Sequence, residues 1–129
     1  MRTQYYFRRT PQGLCAWKVE RLIELSRELV PERVPLSDLR ELDEPHWAHE
    51  RAEKLTCREI ASHARSMLDS DLSFPIILAS DGRVMDGMHR VCKALLEGQA
   101  DIEAVRFAED PEPDHVGIDP DDLPYPDAE

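Results

Sequence analysis

The chain has 129 residues and a formal net charge of −11, from 27 acidic and 16 basic side chains. That length suits one domain with a modest core, and the negative charge disfavours DNA as a partner, because phosphate neutralisation supplies much of nucleic-acid affinity. No apolar run is long enough to cross a bilayer or to form a secretion signal, and the three cysteines show no Cys-x-x-Cys spacing. We therefore expect a cytoplasmic protein without membrane contact.

Residues 1–32 are predicted to form a strand and a helix ahead of the main domain. The strand covers Tyr5 to Phe7 and ends before Gly13. The helix ends at Pro31, and its apolar stripe consists of Trp17, Val19, Leu22, Ile23, Leu25 and Leu29. We expect this helix to cover one face of a small sheet; the alternative is a dimerisation helix.

Residues 33–69 are predicted to contain a strand, a polar irregular stretch and a helix. The strand lies at Arg33 to Leu36, and Pro45 interrupts the polar stretch. Thr56 followed three residues later by Glu59 is a capping-box pattern. This pattern predicts a helix that continues to about Asp69.

Two features of the polar stretch invite a functional interpretation. His46, His49 and Glu50 have the spacing of some metal ligands, but Pro45 argues against a regular helix there, and we predict no metal site. Trp47 is a large aromatic residue in a polar segment. It is expected either to cover a ligand or to anchor the loop.

Residues 76–98 predict a β-hairpin that leads into a helix. Ile76 to Ala79 and Val84 to Met85 are short apolar runs on either side of Asp81-Gly82, a dipeptide that favours a two-residue type I′ turn. Asp86-Gly87 ends the second run. A helical spacing follows, and Gly98 is placed to end that helix. The apolar helical positions are Met88, Val91, Cys92 and Leu95.

The beginning of this helix has the charge pattern of an anion site. His89, Arg90 and Lys93 place positive groups where the helix dipole is also positive, which costs roughly 0.3–1 kcal/mol for each charge. A bound phosphate would reverse that cost, since free N–H groups, the dipole and a guanidinium would converge on it. The alternative is a tight turn with surface ion pairs that contribute little. The candidate phosphate-binding residues are Asp86, Gly87, Met88, His89, Arg90 and Lys93.

The same residues resemble the N-terminal domain shared by ParB proteins and sulfiredoxins. The resemblance extends from Val34 to Phe107 and implies an α+β fold, in which helices pack on a small mixed sheet, over residues 33–108. It is carried by Pro75-Ile76-Ile77, Asp86-Gly87-Met88-His89-Arg90, Ala94, Gly98 and Ile102-Glu103-Ala104-Val105, with Val34 to Leu39 as the opening strand and turn and Ile60 to Leu68 as the intervening helix.

Departures from the family narrow the expected function. Met88 occupies the position of the catalytic cysteine of sulfiredoxins, so their redox chemistry is not expected. The chain is also too short for the helix-turn-helix domain that follows in ParB partition proteins. Kinases of this family that phosphorylate free serine carry a similar Asp-Gly-His-His-Arg and a glutamate soon after the opening strand, where Glu41 and Glu44 lie.

The resemblance implies a nucleotide- or phosphate-binding protein, with ATP, ADP or CTP and Mg²⁺ as candidate ligands. Two function classes remain open. The first is a small-molecule phosphotransferase with Asp86, Glu44 and His89 as catalytic candidates, in which Asp86 holds Mg²⁺ or orients a substrate hydroxyl. The second is a non-catalytic ParB-like module that binds a nucleotide, or a protein partner through an acidic contact tail.

Residues 109–129 form that acidic, proline-rich tail. The segment contains nine acidic residues, five of the ten prolines and no Lys or Arg, so it holds −9 of the −11 net charge. Its low apolar content predicts a solvated arm. The alternative is an extended segment that docks a protein partner through Val116, Ile118, Leu123 and Tyr125.

Overall fold

The computed structural model describes residues 4–47 and 55–124. Within these residues lie three α-helices and two β-sheets, which confirms the predicted α+β class. None of these helices is long and apolar enough to span a membrane. In chain order the elements are β1 (Tyr5–Thr10), β2 (Gly13–Lys18), α1 (Val19–Ser26), β3 (Glu32–Pro35), α2 (Cys57–Asp69), β4 (Ile76–Leu78), β5 (Val84–Asp86), α3 (Met88–Leu96), β6 (Asp101–Arg106) and β7 (His115–Val116).

The larger sheet is mixed and has the strand order β3-β6-β4-β5. β4 and β6 run parallel, with Ile76 opposite Ala104, whereas the outer pairs are antiparallel. A parallel pair requires a crossover connection, and here that connection contains β5 and α3. The crossover brings the residue before α3, Gly87, against Ile76 at the start of β4.

Both faces of the larger sheet are covered. β4 shows this most directly, because Ile76 and Leu78 pack into one core and Ile77 packs into the other. Burial on both sides explains the continuous apolar run at this strand. The core beneath α3 contains Val34, Leu36, Leu39, Ile76, Leu78, Val84, Met88, Val91, Ala94, Ile102 and Ala104. The core beneath β2 and α1 contains Cys15, Trp17, Leu22, Ile77, Ala79, Met85, Val105 and Phe107.

The N-terminal segment is a hairpin followed by a short helix. β1 and β2 pair antiparallel along their whole length, and α1 begins only at Val19 and ends at Ser26. The predicted helix from Trp17 to Leu29 is therefore too long at both ends. Cys15 and Trp17 both enter the second core, and residues two positions apart share a face in a strand but not in a helix. Leu22 is fully buried in the same core, so α1 covers the sheet as expected.

The described part of the tail folds onto this hairpin, so the expectation of a solvated arm is wrong up to residue 124. β7 pairs antiparallel with β2. The Trp17 indole N–H donates to the Pro111 carbonyl at 2.8 Å, and the Asp114 carboxylate accepts from the Lys18 amide at 2.8 Å. Carboxylates and carbonyls of the tail thus satisfy polar groups of the hairpin, which composition alone does not reveal. Tyr125 and the residues after it lie outside the described residues.

Two local predictions for helix ends are confirmed. The Thr56 hydroxyl accepts from the Glu59 amide at 3.2 Å, and the Glu59 carboxylate accepts from the Thr56 amide at 3.4 Å, which is the capping box. Gly98 has a φ of 74°. The residue after it, Gln99, donates its N–H to the Ala94 carbonyl at 2.9 Å, which ends α3.

The turn between β4 and β5 differs from the predicted type. A type I′ turn needs positive φ at both central residues, but Asp81 has no positive φ. The Gly82 N–H instead donates to the Ala79 carbonyl at 2.9 Å, and Gly82 follows with a φ of 91°. This is the pattern of a longer hairpin loop whose last residue is left-handed. The two antiparallel strands themselves are confirmed.

A Leu123→Ala substitution tests whether the tail packs in solution. Leu123 is 5% exposed, so its truncation should lower the free energy of unfolding by about 2 kcal/mol or more. The matched control is Leu96→Ala in α3, because Leu96 is 69% exposed and should shift stability by less than about 0.5 kcal/mol. Urea denaturation followed by circular dichroism measures both variants. Equal, small effects would mean that the tail is not packed.

Candidate functional site

The turn from β5 into α3 depends on a glycine. Gly87 has a φ of 115°, and a Cβ placed there would lie 2.6 Å from Cγ2 of Ile76. Ile76 is fully buried and cannot move without disturbing the core. The chain's own backbone therefore requires Gly87, whatever ligand the site binds.

The first amide groups of α3 are unpaired within the described residues. The first helical hydrogen bond joins the Val91 N–H to the Gly87 carbonyl at 3.0 Å, and Gly87 has no side chain that could cap the helix. The N–H groups of Met88, His89 and Arg90 have no acceptor in this part of the chain. Three adjacent free donors at a positive helix end are the backbone component of an anion site.

The two strongest cations of the predicted site bond to the chain itself. Arg90 donates to the carbonyls of Phe74 and Pro75, both at 2.9 Å, and to the Asp86 carboxylate at 2.8 Å. Lys93 donates to carbonyls at the end of α2, which belong to Leu68 and Ser70. These oxygens offset the positive charge at the start of α3 without a bound anion.

His89 belongs to a group of stacked rings. Its Nε2 lies 2.8 Å from Nδ1 of His63 on α2, so the two imidazoles share a hydrogen bond. The Trp47 ring stacks on both, at centroid distances of 4.3 Å to His63 and 4.8 Å to His89. Burial lowers the pKa of His89, and His63 and His46 lower it further, whereas Asp86 opposes the shift. His89 is therefore neutral near pH 7.

Sequence analysis did not identify His63. The residue sits at the middle of α2, and no local motif distinguishes it from a surface histidine. Its partner His89 is 26 residues away in sequence and on another helix. The apolar positions of α2 give no signal either, because Ile60 is 53% exposed, Leu68 is 61% exposed and none of the residues of this helix is buried.

A cleft with a volume of about 600 Å³ lies in front of the unpaired amides. β1 contributes Tyr5 to Arg9 to its lining, the entry into α3 contributes Asp86 to Arg90, and His46, Trp47 and Pro120 are among the other lining residues. Lys93 does not line this cleft. The volume of the cleft lies within the range of small-molecule sites. Trp47 therefore both anchors its segment and faces the candidate ligand space.

A second cavity, of about 590 Å³, adjoins the cleft and shares part of β1 with it. Glu41 and the exposed Glu44 line this cavity. Glu41 is 7% exposed; its Oε2 accepts from the Val84 amide at 2.8 Å, and its Oε1 has no partner among the described residues. Of the three predicted catalytic candidates, Asp86 and His89 thus share the cleft, and Glu44 lies in the neighbouring cavity.

The proposed metal spacing falls partly outside the described residues. His46 lines both cavities, whereas His49 and Glu50 belong to the segment 48–54 that the structure does not describe. In residues 4–47 and 55–124, no three His, Cys, Asp or Glu side chains are arranged to hold a metal ion.

Comparing Gly87→Ala with Gly82→Ala tests the turn before α3. Both glycines have positive φ, 115° and 91°, so alanine costs about 1–2 kcal/mol of backbone strain at either position. Only at position 87 does the new Cβ overlap a buried side chain, whereas the nearest atom at position 82 is 3.6 Å away. Thermal denaturation should show that Gly87→Ala lowers the free energy of unfolding by about 1–3 kcal/mol more than Gly82→Ala does. Equal losses would contradict the contact with Ile76.

We found no similar protein among those of known family, function or structure. No protein-family model, no curated protein and no solved structure matches the chain. The resemblance to the ParB and sulfiredoxin domain therefore depends on the sequence residues that carry it.

Proposed function

We propose that the cleft between β1 and α3 binds a nucleotide or another phosphorylated small molecule. The observation that carries this proposal is the position of three N–H groups, those of Met88, His89 and Arg90, which have no acceptor in the described part of the chain and lie at a helix start that lines the cleft. Backbone donors and the helix dipole together favour a phosphate at such a position.

Arg90 contributes positive charge to this site without leaving its present partners. A guanidinium has five N–H donors, and the bonds to Phe74, Pro75 and Asp86 use three of them. The remaining two have no acceptor among the described residues and are free for a phosphate oxygen. Lys93 is left out of the proposed site, because it does not line the cleft and bonds to carbonyls at the end of α2.

The rest of the cleft suits the non-phosphate part of a nucleotide. Tyr6, Phe7 and Trp47 place aromatic rings in its lining, and a nucleobase can stack on such rings. The lining does not form a magnesium site of its own: Asp86 is the single carboxylate among the described lining residues, and it pairs with Arg90. Mg²⁺ would therefore be bound by the phosphates of ATP, ADP or CTP.

A phosphotransferase activity would use His89 as its proton acceptor. The lowered pKa keeps this imidazole neutral near pH 7, which a general base requires. Asp86 is held by Arg90, and Glu44 lies in the adjoining cavity. The chain order of β4, β5, α3 and β6 agrees with the ParB-like arrangement that we propose for residues 33–108.

The same cleft also suits the second function, a non-catalytic ParB-like module that binds a nucleotide. The bonds of Arg90 and Lys93 to the chain favour this alternative, since they leave fewer charges for a transferred phosphate. Formation of ADP in the presence of a hydroxylated substrate separates the two functions. Saturable binding without turnover would identify the module.

His89→Glu and His89→Gln form a matched pair that tests phosphate binding. Both replace the imidazole of His89 by a side chain of the same length, and glutamate is favourable in the first turn of a helix, so the unliganded His89→Glu protein should be at least as stable as His89→Gln. Its carboxylate would repel a phosphate at the neighbouring amides. ATP, ADP or CTP with Mg²⁺ should raise the melting temperature of the wild type and of His89→Gln, but not of His89→Glu.

Two results would exclude the site. One is a wild-type melting temperature that no nucleotide changes at millimolar concentration. The other is an equal increase in both variants, which would place the phosphate away from the start of α3.

A further inference from the structure

His63 and His89 form an imidazole pair with one shared hydrogen bond, 2.8 Å long. Such a bond needs one nitrogen with a proton and one without. A first added proton can bind an outer nitrogen and leaves the bond intact. A second must bind at the shared position, where it breaks the bond and places two positive rings against each other.

The imidazole pair also supports Trp47 beside the cleft, in addition to the contact of the indole with the core beneath α3. Trp47 stacks on His63 with an interplanar angle of 23° and on His89 with an angle of 16°. His46 meets the Trp47 ring edge-on, at a centroid distance of 5.5 Å. Trp47, His46 and His89 all line the cleft, so the position of the indole determines the shape of this part of the lining.

The groups around His89 favour its neutral form. Burial is the largest cause of the lowered pKa of His89. Within the described residues, His63 from α2 and His46 from the turn before Trp47 lower this pKa further, and Asp86 at the end of β5 acts in the opposite direction. A lowered histidine pKa contributes stability that is complete above the ordinary value of about 6.5 and is lost as the pH falls towards the folded-state value.

From this geometry we propose that the imidazole pair is a pH-sensitive switch: the neutral pair keeps Trp47 stacked beside the cleft, and double protonation releases the indole and widens the cleft. The switch does not depend on the proposed nucleotide, since each of its parts belongs to this chain. It would make access to the cleft greater in acid than at neutral pH.

Tryptophan fluorescence tests the switch without any ligand. The other tryptophan, Trp17, is buried in the second core, so subtraction of the Trp47→Phe spectrum from that of the wild type isolates Trp47. Between about pH 7.5 and about pH 4.5, which spans the usual histidine range, Trp47 emission should move to longer wavelength. Far-UV circular dichroism should stay constant over the same interval.

The control variants are His63→Gln and His115→Gln. Glutamine at 63 can turn its amide to accept or donate, so it keeps a bond to His89 in either protonation state and should remove the emission change. His115 lies on β7, and its substitution should leave the change as in the wild type. A shift of the Trp47 emission that persists in His63→Gln would overturn the proposal. A shift that accompanies loss of the far-UV circular dichroism signal would overturn it as well, because it would report unfolding.

Nitrogen-15 spectra of the wild-type histidine rings provide a second measurement, which does not depend on any substitution. The expected result is that His89 binds its proton at a pH below the ordinary histidine value. Titration of His89 at the ordinary value would overturn the switch.

Discussion

The backbone turn at Gly87 is the constraint on which the rest of the site depends. Because this residue has a positive φ and touches buried Ile76, α3 starts immediately after β5 and lies against β4. Arg90, in the first turn of α3, then reaches back to Asp86 and to the segment before β4. The same turn leaves three amides at the cleft without partners among residues 4–47 and 55–124. One local geometry therefore fixes the helix start, the guanidinium and the free donors together.

The cleft exists because elements from both ends of the chain cover the second face of the larger sheet. β1 supplies most of the lining opposite α3, and β2 holds β1 in place along six residue pairs. The acidic tail in turn holds β2, through β7 and through the carbonyl that accepts from Trp17. The N-terminal hairpin and the tail are thus structural parts of the candidate site.

Local sequence signals predicted the elements whose causes are local. The capping box at Thr56, the hairpin at Gly82 and the end of α3 at Gly98 each depend on neighbouring residues. β7 could not be found in this way, since its partner β2 lies far along the chain. β2 pairs with the neighbouring β1 across a short turn, but its residue Trp17 also fitted the helical spacing that predicted the N-terminal helix. The candidate site shows the same difference between local and distant causes. The free amides at the start of α3 were predicted from the turn at Gly87, which is local. The carbonyl groups that accept from Arg90 belong to Phe74 and Pro75, and only the folded backbone brings them to this residue.

Backbone amide spectra recorded during titration with ADP and Mg²⁺ report on the proposed phosphate donors themselves. We expect the N–H resonances of Met88, His89 and Arg90 to shift together and to saturate at one ligand concentration. Saturable shifts elsewhere, with these three resonances unchanged, would contradict the proposed phosphate site.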